Sequence, residues 1–255
     1  VSIHDNGPGM TLEQMHNSVR AGFSGNDPLG KLGLFGMGFN IATARLGRVT
    51  KVLSTIKGDP YWVILELDLD EMQKTGQFRA RISRESKDDD NIHGTIVEVK
   101  RLKPEFKGAL TSGAGRHKIR RQLSRTYSSI LATEPIAMEI AELEVIPWKH
   151  CTWDESRSTT IGAATEVKPY VTVDFPLPDH YFCDVCWHWS SPASVITEST
   201  CPACGLSDSI ELKPRRIHGW IGVQRYFDQD HYGIDFIRNG RVIEQLNKDC
   251  FTWNE

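Results

Sequence analysis

Two glycine-rich stretches near the start of the chain restrict this sequence more than any other feature: His4-Asp5-Asn6-Gly7-Pro8-Gly9-Met10 and Gly33-Leu34-Phe35-Gly36-Met37-Gly38-Phe39. The short apolar run Val1-Ser2-Ile3 suits a strand that ends at Asp5. Gly7 and Gly9 let the backbone turn and pass close to a flat ligand with no Cβ in the way. Asp5, left at the strand end, is a lone acceptor suited to an amino group on a base. The second stretch opens a predicted helix from Gly36 to Leu46. A helix N-terminus offers N–H groups and the positive end of its dipole to phosphate, and glycines admit the phosphate oxygens. Between the two, Thr11-Leu12-Glu13-Gln14 has the pattern of a capping box, with Leu12, Met15 and Val19 on one helical face.

Each stretch alone is a common pattern. The dinucleotide reading of Gly-x-x-Gly-x-Gly needs a preceding strand in a βαβ unit, whereas Gly33 follows a loop, and no Gly-x-x-x-x-Gly-Lys-Ser/Thr is present. The ordered combination, completed by Gly94-Thr95 at the start of the strand-like run Thr95 to Val99, is far more specific. It resembles the GHKL superfamily: gyrase, the ninety-kilodalton heat-shock chaperones, histidine kinases and MutL. Ala21-Gly22-Phe23-Ser24, Lys31 and Ala44-Arg45-Leu46-Gly47 are most similar to the MORC branch. The resemblance covers about residues 1–145. It implies an ATP site in which Asp5 reads adenine, assisted by Thr95. Gly7, Gly9 and Met10 line it, as do Gly33, Leu34, Phe35, Gly36, Met37, Gly38 and Phe39. Residues 21–32 become the ATP lid, with Ser24 and Lys31 as phosphate contacts.

The same resemblance places a general-base glutamate and a Mg2+-holding asparagine upstream of Val1. The chain therefore reads as truncated at both ends, expected to bind ATP but to hydrolyse it poorly, with no catalytic residue assigned. Lys248 is the candidate for the phosphate-sensing lysine of a transducer domain. The expected activity of the full-length protein is a clamp ATPase that couples ATP binding to lid closure and homodimerisation. The client is DNA or protein. The alternatives are a histidine-kinase-type ATP-binding domain and a zinc-bearing interaction module with a vestigial pocket.

The 255 residues allow one large or two medium domains. A net charge of −3 argues against binding nucleic acid through bulk charge, though not through a local patch. No run of eighteen apolar residues is present and no signal peptide is visible, so a cytoplasmic or nuclear protein with no membrane partner is expected.

Strands are expected at Val49 to Ile56, Tyr61 to Leu69 and Phe78 to Ser83, with 87–91 as a solvated hairpin loop. A long helix is expected over 116–131, its Arg116, Lys118, Arg120, Arg121 and Arg125 read as a solvated face, with a nucleic acid or partner as the alternative. One or two strands between Ile136 and Ile146 finish a first domain, 1–147, an α+β two-layer sandwich. Residues 148–163 read as a linker.

The second domain, 164–255, is expected to restart with a strand at Tyr170 to Phe175, ended by Pro176-Leu177-Pro178. Cys183-x-x-Cys186 and Cys201-x-x-Cys204, separated by fourteen residues, have the spacing of a zinc ribbon; two disulfides are the alternative. Four thiolates leave no open coordination position, so a structural Zn2+ is expected in an insert at about 180–208. Further strands follow, with Asn239-Gly240 as a type I′ hairpin turn. The run from Gly233 to Ile243 is similar to the transducer domain of MORC, MutL and chaperone relatives, which implies a transducer-like α/β domain carrying the insert.

Overall fold

A computed structural model describes residues 1–23, 29, 31–33, 36–154, 156–162, 165–195 and 199–250. The chain divides into two compact units. The first comprises Val1–Ser124 with Ile136–Val145, and the second Arg125–Pro135 with Ile146–Glu255.

The first unit is a mixed α/β fold on one antiparallel sheet. Its strands are β1 (Ser2–Asp5), β2 (Gly47–Thr55), β3 (Tyr61–Asp68), β4 (Arg81–Ser86) and β5 (Gly94–Leu102), in the order β1-β5-β2-β3-β4. Helix α1 (Leu12–Ser18) starts where the sequence placed it: the Gln14 N–H donates to Thr11 Oγ1 at 3.2 Å and the Thr11 N–H to Gln14 Oε1 at 2.8 Å. Helix α2 (Gly38–Leu46) leads into β2. The fully buried Met15 of α1 packs on Val52, Val63 and Leu65 of the sheet, and Met10, Val19, Phe39, Leu67 and Val97 pack around them. Val97, Val52 and Leu65 are cross-strand partners, so one apolar row of the sheet supplies most of this core.

Three local expectations shift. The strand expected at Phe78 to Ser83 forms at Arg81–Ser86, and Phe78 is left 92% exposed. The single helix expected over 116–131 is two, α5 (Gly113–Thr126) and α6 (Ser128–Thr133). They break at Tyr127, whose φ of −112° and ψ of 19° are not helical. The loop 87–91 is less solvated than expected, because Lys87 is buried. Its ammonium donates to Thr55 Oγ1 and to the carbonyls of Ile56, Asp90 and Ile92 at 2.9–3.3 Å, which ties this loop to the end of β2. The first unit also carries α3 (Leu69–Thr75), α4 (Pro104–Thr111) and the short pair β6 (Glu139–Ile140) and β7 (Leu143–Glu144).

The second unit is built on a long antiparallel hairpin, β10 (Tyr170–Cys183) with β12 (Ile210–Gly222), preceded by the short pair β8 (Thr159–Ile161) and β9 (Thr165–Val167). The strand expected to end at Pro176 continues through both prolines. Without N–H groups they cannot complete the ladder, and the register shifts between Leu177 and His180. A short strand β11 (Trp189–Ser190) pairs with Tyr181 and Phe182 near the hairpin tip. Part of the segment read as a linker is held down: the Trp153 N–H donates to the Val223 carbonyl and the Arg225 N–H to the Cys151 carbonyl, both at 3.0 Å. His150 meets Trp220 edge-on and lies 3.5 Å from Asp235. Finally β13 (Ile234–Arg238) and β14 (Arg241–Asn247) form a hairpin whose turn residues Asn239 and Gly240 have φ of 48° and 74°, as a type I′ turn requires. Among the described residues, no helix is long and apolar enough to cross a membrane.

Candidate functional site

Asp5 is the last residue of β1 and lies directly opposite Thr95 of β5, which in turn lies opposite Ser54 of β2 and, through it, Val63 of β3. Residues paired across antiparallel strands present their side chains on one face. Asp5, Thr95 and Ser54 therefore form a polar row two residues along from the apolar row Val97–Val52–Leu65, on the face covered by Met15.

The turn after β1 closes on this row. The Gly7 N–H donates to Asp5 Oδ1 at 2.9 Å, which leaves the second carboxylate oxygen for another donor. The Met10 N–H donates to Ser54 Oγ at 2.8 Å. His93 holds the turn from the β5 side, with Nδ1 2.8 Å from the Gly7 carbonyl. Two glycines are required by space as well as by conformation. Gly9 has φ of 77°, and a Cβ there would stand 1.9 Å from the Thr55 carbonyl oxygen; Gly94 has φ of 127°, and its Cβ would stand 2.1 Å from the Asp5 carbonyl oxygen. Bare backbone thus approaches bare backbone on both sides of Asp5.

The second glycine stretch is partly described. Its helix begins at Gly38, two residues later than expected, because Gly36 turns with φ of 59° against the backbone of Phe23. The Gly22 N–H donates to the Gly36 carbonyl at 3.3 Å. The N-cap, Met37, makes no side-chain hydrogen bond to the first turn of α2, so that turn keeps its ordinary capacity to receive an acceptor. Phe39 and Met10 pack around the same buried cluster, which ties both glycine stretches to one core. Ser24, Leu34 and Phe35 lie outside the described residues; Lys31 and Gly33 lie between them on the same connection. A cavity of about 150 Å3 opens by Met10, Ser54, Thr55, Tyr61 and Arg84. Asp5 and Gly36 are not among its walls, and it is below the roughly 300 Å3 of an ordinary ligand pocket.

Residues 1–97 match the family model described as "Histidine kinase-, DNA gyrase B-, and HSP90-like ATPase". The match supports the GHKL superfamily and an ATP-binding module of that type for this part of the chain. It runs from β1 into the first half of β5, and so contains Asp5, both glycine stretches, Ser54 and Thr95. No curated protein matches the chain.

In the second unit, all four knuckle cysteines meet at the hairpin tip, with their sulfur atoms within 4.8 Å of one another. Two pairs join the knuckles directly: Cys183 to Cys204 at 3.8 Å and Cys186 to Cys201 at 3.6 Å. Four thiolates about 2.3 Å from one tetrahedral ion would stand about 3.8 Å apart, so the cluster has the dimensions of a zinc centre. All four are free thiols rather than disulfides. Burial opposes ionisation of Cys183, but the N–H groups of Cys186 and Val185 and the Ser209 hydroxyl bring its pKa down to about 6. At Cys186 the His188 N–H favours the thiolate, yet burial and the neighbouring thiols push the pKa up to about 12. Cys204 is raised as well, burial and the neighbouring Cys201 thiol outweighing the Leu206 N–H. Cys183 thus forms a thiolate readily, whereas Cys186 and Cys204 resist ionisation until a cation relieves their crowding. Lys248, the lysine singled out from the sequence, donates to the Gln229 carbonyl at 2.7 Å and stands 4.2 Å over the Tyr232 ring.

Sequence reasoning missed Ser54, His93 and Lys87. None sits in a motif, and each acts on a residue about thirty or more positions away.

Proposed function

We propose that the first unit binds ATP as the nucleotide-responsive part of a clamp ATPase of the MORC and heat-shock-chaperone type. The observation that carries this reading is the row of Asp5 and Thr95 beneath a turn that only glycine can make, within the segment matched to the ATPase family. Asp5 accepts the adenine amino group through the oxygen that Gly7 leaves open, and Thr95 assists from the neighbouring strand. The phosphates, taken up with Mg2+, lie toward the first turn of α2, where Gly36, Met37, Gly38 and Phe39 lead into the helix. Gly33, Leu34 and Phe35 complete that wall, and Ser24 and Lys31 reach the phosphates from the lid.

ATP favours the closed lid only to the extent that its contacts differ between open and closed states. The lid connection supplies that difference, and closure couples to homodimerisation and hydrolysis. The second unit acts as the transducer. Its Cys183, Cys186, Cys201 and Cys204 hold Zn2+, which supplies a closed, structural tetrathiolate centre. The client is DNA or protein in the cytoplasm or nucleus.

Titration of the chain with a fluorescent ATP analogue tests the reading, with Asp5→Asn as the comparison. Losing a hydrogen bond to a charged acceptor costs about 1.5–3 kcal/mol, so Asp5→Asn weakens binding by at least about tenfold while zinc content stays the same. Equal affinity in both proteins, or no binding by the native chain, would overturn it.

A further inference from the structure

Ser54 is fully buried on β2 and carries no motif, yet it touches Thr95 in the polar row and the backbone of both Gly94 and Met10 beside it. Its Oγ accepts from the Met10 N–H at 2.8 Å, lies 2.9 Å from Thr95 Oγ1 and 3.1 Å from the Gly94 carbonyl. A hydroxyl has one hydrogen and two acceptor positions. The Met10 N–H takes one acceptor position. The hydrogen and the second acceptor position remain for Gly94 and Thr95. The Thr95 hydroxyl is therefore oriented from within the protein, from the side of β2, while its cross-strand neighbour Asp5 stands on the other side.

We propose that Ser54 is a positioning residue of the base-binding end. It fixes the direction of the Thr95 hydroxyl and holds the Gly7–Met10 turn at the height where Asp5 meets the exocyclic amino group of a purine. The inference rests on the reading of the Asp5–Thr95 row as the base site. Ser54 does not touch the nucleotide. It acts through two groups of which one is a ligand contact and the other sets the glycine turn. An alanine at this position removes the orientation of Thr95 and leaves the Met10 N–H without its acceptor.

The experiment is competition against a fluorescent ATP analogue by ATP, GTP and inorganic tripolyphosphate, in the native chain, Ser54→Ala, Ser54→Cys, Thr95→Val and the Ser54→Ala/Thr95→Val double variant. Loss of one net hydrogen bond's orientation weakens ATP by about tenfold in Ser54→Ala. Tripolyphosphate, which has no base, competes as well as before, and the preference for ATP over GTP falls. Ser54→Cys, which keeps a weak donor and acceptor of similar size, lies between the two. The double variant loses less than the sum of the two single losses, because part of each loss is the same Thr95 hydroxyl, while the Met10 N–H is affected by Ser54→Ala alone.

Unchanged ATP affinity and unchanged ATP:GTP preference in both Ser54 variants overturn the proposal while leaving the Asp5 reading intact. So do equal losses for ATP and tripolyphosphate, which would mark a general loss of structure. A native chain that binds neither nucleotide overturns both.

Discussion

Gly9→Ala gives the most direct check on how the site is built. Gly9 combines a φ of 77° with a Cβ position 1.9 Å from the Thr55 carbonyl oxygen, 2.6 Å from its carbon and 3.2 Å from the Ile56 nitrogen. An L-residue in the left-handed region costs about 1–2 kcal/mol. The overlap is with backbone, at the strand end that Lys87 also grips, so no side chain can swing away to relieve it. Relief requires the turn and β2 to separate by more than an ångström, an overpacking strain of about 1–3 kcal/mol. The total is about 3 kcal/mol. Gly58→Ala is the control: its φ is 85°, but the space around its Cβ position is open, so only the conformational cost of about 1 kcal/mol applies. At about 3 °C per kcal/mol, Gly9→Ala lowers the first unit's midpoint by about 10 °C and Gly58→Ala by about 3 °C. Amide exchange in β2 and β5 peptides, followed alongside thermal melting, isolates the first unit from the second. A Gly9→Ala midpoint no lower than that of Gly58→Ala would refute the close approach of the turn to β2, and with it the position of Asp5.

Two further outcomes concern the second unit. Cys201→Ser removes one of four thiolates from a cluster whose sulfurs lie within 4.8 Å of one another. Metal analysis of the purified chain should fall from about one zinc to well under half, with exchange accelerating at the β10–β12 tip and unchanged in β2 and β5; full zinc retention counts against the site. Asp235 is half-buried. Burial works against its ionisation, but the His150 ring and the Leu246 N–H at 2.7 Å outweigh it and hold its pKa below the ordinary carboxylate range. A folded-state pKa lowered in this way stabilises above the unfolded value near pH 4 and is lost as pH falls through the folded value. The stability gap between the native chain and Asp235→Asn, read from denaturant midpoints, should therefore be larger at pH 5 than at pH 3; an equal gap refutes the pairing.

What the sequence disclosed was local. The Thr11–Gln14 capping box, the Asn239-Gly240 turn and the two cysteine knuckles each work through residues a few positions apart, and each forms as expected. The site's turn was legible for the same reason, since Gly9 is required by it and the Gly7 N–H closes it on Asp5. Expectations failed where a distant partner overrode local pattern. Lys87 sits among three aspartates and reads as solvated, but oxygens from β2 and from its own loop surround its ammonium. Pro176 and Pro178 read as the end of a strand, but pairing with Arg216 and Arg215, then Lys213, carries β10 past them at the cost of a register shift. Ser54 has an unremarkable sequence context; its role exists only once β5 lies beside β2.

That last dependence links the core to the site. Side chains alternate along a strand, so a one-residue slip of β5 against β2 would send Thr95 to the opposite face and break the row with Asp5 and Ser54. Three hydroxyl and carboxylate groups at a partly exposed sheet end are too weak to prevent such a slip. Two residues further along, however, Val97 faces Val52 and Val52 faces Leu65, and Val52 and Leu65 are almost wholly buried under Met15. The slip would expose this row to water, at about 1.5–3 kcal/mol for each large apolar side chain uncovered. The register that buries the valines is the register that lines up Asp5, Thr95 and Ser54. Residues 5, 54 and 95 are far apart in the sequence, and the polar row that joins them is held in place by apolar neighbours that contribute no polar group to it.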